Sequence, residues 1–200
     1  MSGTSRPSAV RENGSRPPGI ADAGNVLVLG DPHGSSAFER HRPELSTDGP
    51  LLFVAFTGAD VRMLETHGDE RRDCYVVDAT PQGVALVDET DRVTVESVSS
   101  PANLTDVGVA IDKLLDRAGE TDGQIDCCVP SLTALLQYVD RQRGYRFCNA
   151  MANRLAAADA FAHYHLTPEA HDEMTVDTFA SLMDAVVRVD ADGATVIKRR

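Results

Sequence analysis

The chain has 200 residues, 42% of them hydrophobic, and a formal net charge of −12. That length suits one domain of ordinary size plus a tail, and the apolar fraction is enough to build a core. Thirty-one acidic residues face 19 basic ones, of which only Lys113 and Lys198 are lysines, so the surface repels nucleic-acid phosphates and anionic lipid and fits a halophilic cytoplasm.

Residues 1–23 are rich in Ser, Pro, Gly and Arg and nearly devoid of large apolar side chains. Such a composition does not offset its own ordering entropy, so a disordered tail is expected there and a folded domain over residues 24–200. No apolar run reaches the roughly 18–20 residues of a membrane span, and the N-terminus lacks the apolar core of a signal peptide. A soluble cytoplasmic protein with no membrane association is the expectation.

The stretch Asn25 to Arg40, NVLVLGDPHGSSAFER, reads as a buried strand (Val26 to Leu29), a glycine-bracketed turn and the start of a helix. A phosphate-binding loop occupies this kind of place, because glycines let backbone N–H groups close around phosphate oxygens. Gly30, Asp31, Gly34, Ser35 and Ser36 are therefore the candidate nucleotide-binding residues, with ATP and Mg²⁺ as the cofactors they would take. The two glycines stand one residue too close for G-x-x-x-x-G-K-[ST], however, and no lysine follows Gly34. The same pattern also describes an ordinary strand-to-helix turn in which Ser35 or Ser36 caps the helix.

Leu51 to Phe56 is a continuous apolar run, as in a parallel strand buried on both faces, and Ala59 to His67 reads as a helix. Cys74 to Val77 is a further strand, whereas Val84 to Val98 alternates only enough for an edge strand and loop. Asn103 to Arg117 lines its apolar residues on one helical stripe. Gln124 to Val129 is a strand, Ser131 to Tyr138 and Arg146 to Ala157 are helices divided near Gly144, and Ala160 to Leu166 is a strand. Thr175 to Met183 is a helix, followed by a hairpin of Ala185 to Val189 and Ala194 to Lys198. Strands alternating with helices predict a three-layer α/β fold, a mostly parallel sheet with helices on both faces and a C-terminal hairpin. Ligands in such sheets bind beyond the carboxyl ends of the strands, which puts the residues after Leu29, Phe56, Val129 and His165 at the expected crevice.

Cys74, Cys127, Cys128 and Cys148 lack C-x-x-C spacing and read as small buried apolar residues. His163 and His165 fall on one face of their strand, with His171 shortly after. The expectation is that they are hydrogen-bonded strand and cap residues holding no metal; a zinc-type set of His163, His165 and His171, as in a metal-dependent hydrolase, is the alternative. Arg141, Arg143 and Arg146 form the dense basic cluster of the interior sequence, a solvated helix junction or a surface for an acidic partner.

From Val26 onward, the order of elements with LLFVAFTGAD, CCVPSLTALLQYVD and AHYHLTPEAHDEMTVDTFASLMDAVVRVD resembles the RecA-like ATPases of the circadian-clock KaiC type. More closely, it is similar to the shortened haloarchaeal, signal-transduction relatives of that family. The resemblance implies a P-loop NTPase fold and three positions for ATP chemistry: a loop lysine, an acid just before Ser131-Leu132, and a glutamate after the second strand. Here no lysine follows Gly34, the acid is replaced by Pro130, and the third stretch reads Thr57-Gly58-Ala59-Asp60. Asp60 is the one candidate catalytic residue left. Because phosphoryl transfer depends on positioning and charge neutralisation, the resemblance with these changes implies a pseudo-ATPase. Such a module is non-catalytic or nearly inactive and regulatory, working through a protein partner or homo-oligomer; an ATPase of low activity is the alternative.

Overall fold

The computed structural model describes residues 20, 22–30, 49–67, 72–81, 90–190 and 193–199. Among them run eight strands: β1 (Asn25–Leu29), β2 (Leu51–Ala55), β3 (Cys74–Asp78), β4 (Val93–Ser97), β5 (Asp126–Val129), β6 (Phe161–Leu166), β7 (Ala185–Asp190) and β8 (Gly193–Arg199). The helices are α1 (Gly58–His67), α2 (Leu104–Ala118), α3 (Leu132–Leu135), α4 (Arg141–Ala157) and α5 (Glu173–Ala180). The strands form one sheet in the order β4-β3-β2-β5-β6-β1-β7-β8. All neighbours are parallel except β7 and β8, which form the antiparallel hairpin expected at the C-terminus.

Every residue of β1, β2, β5 and β6 is buried, because each of these strands carries side chains into both flanking layers. On one face, Val107, Ile111 and Leu114 of α2, Leu155 of α4 and Phe179 of α5 share a core with Leu27, Leu52 and Tyr164. Burying a side chain of this size contributes about 1.5–3 kcal/mol relative to leaving it exposed, so the apolar stripe of α2 holds that helix more firmly than propensity does. On the other face, Val61 and Leu64 of α1 pack with Phe53, Val76 and Cys128, while Ile20 joins Val26, Val28 and Phe161. Tyr164 is tied into the first core by its hydroxyl, which donates to Asn25 Oδ1 at 3.0 Å; Asn25 Nδ2 in turn donates to the Ala152 carbonyl at 3.3 Å.

Helix starts follow the side-chain oxygens in the sequence. Asn103 accepts from the Asp106 N–H, Asp140 from the Arg143 N–H, and Asp172 from the Thr175 N–H, each satisfying an amide that the first turn leaves unpaired. β4 is the half-exposed edge strand. Two expectations are corrected. Gly144 does not divide two helices, because α4 runs unbroken from Arg141; it lies buried in the helix, with space for a Cβ limited by Leu136 and Phe179. The helix after Ser131 is α-helical only over Leu132–Leu135, then closes in tight turns through Tyr138 before Asp140 starts α4. No helix among the described residues is long and apolar enough to cross a membrane.

Candidate functional site

β2, β5, β6 and β1 are consecutive neighbours and parallel, so their carboxyl ends lie together along one edge of the sheet. The residues just beyond those ends are Gly30, Phe56, Pro130 and Thr167. Gly30 is anchored by its own N–H, which donates to the Leu166 carbonyl at 3.1 Å. A Cβ at Gly30 would stand 2.9 Å from the Val189 carbonyl oxygen, so the chain leaves β1 pressed against β7. Asp31, Gly34, Ser35 and Ser36, together with Arg40, lie outside the described residues.

At the far end of this row, beyond β2, Asp60 is buried and turned toward its own loop. Its Oδ2 accepts the Phe56 N–H at 2.9 Å and the Thr57 N–H at 2.8 Å. Pro130 follows β5, and Ser131 caps α3 by accepting the Ala134 N–H at 2.9 Å. Thr133 joins α3 to the segment after β6: its Oγ1 accepts the Thr167 N–H at 3.0 Å and lies 3.0 Å from His171 Nε2. Burial holds the His171 imidazole below its usual range, with Asp172 pulling the other way. At the end of β3, Asp78 is a buried carboxylate that sequence reasoning passed over. Its Oδ1 accepts the Thr80 N–H at 3.0 Å, while Asp78 Oδ2 and Thr80 Oγ1 are buried without a hydrogen-bond partner among the described residues.

The three histidines do not meet. His171 lies beside Thr133 beyond the end of β6, whereas His163 and His165 lie within the sheet on the face covered by α1, where His163 Nδ1 is 2.8 Å from His165 Nε2. The residue that joins the pair is Cys128, which stands directly across from His163 in the β5–β6 register. Asp126, two residues earlier on the same face, approaches His163 Nε2 at 3.2 Å and takes the Arg72 guanidinium on its other oxygen at 3.2 Å. Burial by itself pushes the His163 imidazole down, but Cys128 and Asp126 beside it outweigh burial and raise it to about 10. The Cys128 thiol is pushed up by burial and pulled back by His163. Cys74 and Cys148 behave as plain buried thiols, raised to about 12 by burial. All four cysteines are free and buried.

The basic cluster is exposed at the start of α4, beginning one residue past its cap Asp140, where the turns after α3 meet that helix. Arg141 reaches Asp172 at 3.8 Å and Thr175 at 3.4 Å, and Arg143 donates to the Ala102 carbonyl at 3.1 Å.

A mostly parallel sheet in which β6 separates β1 from β5, with helices on both faces, is an α/β fold similar to that of RecA-like proteins. The chain is similar in structure to the KaiC-like protein PH0186 of Pyrococcus horikoshii OT3, with TM-score 0.50 and 10% identity over 95% of this chain and 88% of that one. It is similar also to the P. horikoshii OT3 protein PH0250, with TM-score 0.55 and 12% identity over 88% and 85% of the two chains. Residues 23–189 match the model of a family of unknown function, DUF7504, and the chain belongs to that family. No curated protein matches it.

Proposed function

We propose that the protein is a regulatory module on a nucleotide-binding RecA/KaiC-like fold in which ATP hydrolysis is absent or nearly so. The observation that carries this reading is Pro130. It follows β5, an inner strand of the sheet, where the family resemblance implies a carboxylate for Mg²⁺, and proline offers neither a ligand nor a backbone donor. Asp60 supports the same reading, since one of its oxygens is given over to two amides of its own turn and the side chain is fully buried. Removing single charged groups from a phosphoryl-transfer site costs orders of magnitude in rate. Gly30, Asp31, Gly34, Ser35 and Ser36 form the remaining nucleotide loop in this proposal, with ATP and Mg²⁺ as its ligands.

The module works in the cytoplasm through a protein partner or a second copy of itself. Four unpaired thiols suit a reducing compartment, and the acidic surface disfavours nucleic acid. The test is calorimetry of ATP binding in molar KCl with and without Mg²⁺, paired with phosphate release. The expected result is turnover at background whether or not ATP binds. A measurable rate that Ser36→Ala or Asp60→Ala abolishes would overturn the proposal in favour of a slow Mg²⁺-dependent ATPase.

A further inference from the structure

We propose that Cys128, His163 and His165 form a zinc site within the sheet, distinct from the nucleotide crevice. Their ligand atoms lie within 4.8 Å of one another and all three residues are buried, at 4%, 4% and 1% exposure. Elsewhere this face carries Val26, Val28, Phe53 and Phe161. Two imidazoles and a sulfur thus stand together beside an apolar part of that face as one compact set of donor atoms. Two neutral imidazole nitrogens and one thiolate are donors that zinc accepts.

The surroundings orient the ligands. Asp126 Oδ1 stands 3.2 Å from His163 Nε2, so the carboxylate favours the proton on that nitrogen and leaves Nδ1, the nitrogen that faces His165, as the ligand atom. A carboxylate behind a metal-binding histidine is the usual means of setting its tautomer. Arg72 grips the other oxygen of Asp126 at 3.2 Å and 3.3 Å and holds it in place. Without metal, His163 and His165 share the 2.8 Å contact. Zinc–nitrogen bonds of about 2.0–2.1 Å in a tetrahedral shell put ligand nitrogens roughly 3.3 Å apart, so binding opens that contact by about half an ångström. Cys128 binds as thiolate and releases its proton to solvent, and a fourth position is left for water or another donor.

The full chain, stripped with chelator and shown to be folded by circular dichroism, is titrated with Zn²⁺ and separately with Co²⁺. One equivalent of each binds, and the cobalt form shows a thiolate-to-metal charge-transfer band. Cys128→Ser abolishes that band and weakens zinc binding at least about tenfold; Cys127→Ser, on the opposite face of β5, leaves both unchanged. X-ray absorption of the zinc-loaded wild-type chain shows one sulfur and two imidazoles, a readout that does not depend on any variant folding. A folded wild-type chain that takes up no stoichiometric metal, or a metal shell without sulfur, overturns the proposal.

Discussion

Asp60 Oδ2 accepts the Thr57 amide N–H across 2.8 Å, and the same oxygen takes the Phe56 N–H. The side chain thereby clasps the turn between β2 and α1. Removing it leaves two amides to find other acceptors, so Asp60→Ala is expected to cost about 1–3 kcal/mol, and Asp60→Asn less because one acceptor oxygen survives. Urea unfolding measures the loss, and phosphate release stays at background in both variants. A variant of normal stability whose ATP turnover falls below that of the wild type would show that the carboxylate takes part in a reaction.

Arg72 and Asp126 form a largely buried pair, with side-chain exposures of 16% and 2%. Truncating the cation strands a carboxylate in the sheet, so Arg72→Met is expected to destabilise by up to about 3–5 kcal/mol. The double variant Arg72→Met/Asp126→Leu should recover part of this, since it removes the stranded charge as well, although His163 then loses its partner. A double-mutant cycle by urea unfolding gives the coupling. Additive effects of the two changes would show that the pair contributes nothing of its own.

Gly49 precedes β2 where the chain crosses the segment entering β5. A Cβ there would lie 2.1 Å from the Gln124 carbonyl oxygen and 2.8 Å from its nitrogen. These are backbone atoms flanking a strand, and they cannot turn aside as a side-chain tip does. Gly49→Ala is therefore expected to cost about 3 kcal/mol, despite the lower entropy of alanine in the unfolded chain. A melting temperature equal to that of the wild type would show that the β2 and β5 entries are less tightly opposed.

The buried strands were legible because LLFVAF and NVLVL have no polar face to expose, and residues of that kind are stable only between two layers. β4 was blurred for the opposite reason: Val93, Thr94, Val95 and Glu96 are all half-exposed at the sheet edge, so burial imposes little alternation on them. Gly144 misled because glycine usually punctuates a helix, whereas here α4 runs straight through it between Leu136 and Phe179. Two-residue spacing correctly put His163 and His165 on one face. Nothing in the local sequence brings Cys128 to them, because that meeting depends on the β5–β6 register. Proximity in sequence likewise pointed to His171, which the turn after β6 carries instead to Thr133.

The excess of 12 negative charges should make stability depend on salt. Folding concentrates those charges, and their repulsion opposes the compact state. The Debye length falls from ~10 Å at 0.1 M to ~3 Å at 1 M, so molar salt screens most of that repulsion. Ion pairs act in the other direction: Arg154 bridges Asp112 at 2.7 Å and Asp116 at 2.9 Å, and Lys113 meets Glu96. Salt weakens these attractions too, but exposed pairs are worth at most about 1 kcal/mol each. Repulsion spread over the whole surface should therefore dominate the response. The expected outcome is a melting temperature that rises steeply between 0.1 M and 2 M KCl. Equal stability at both concentrations would mean that the acidic surface is not an adaptation to salt, and would make it a docking face for a basic partner.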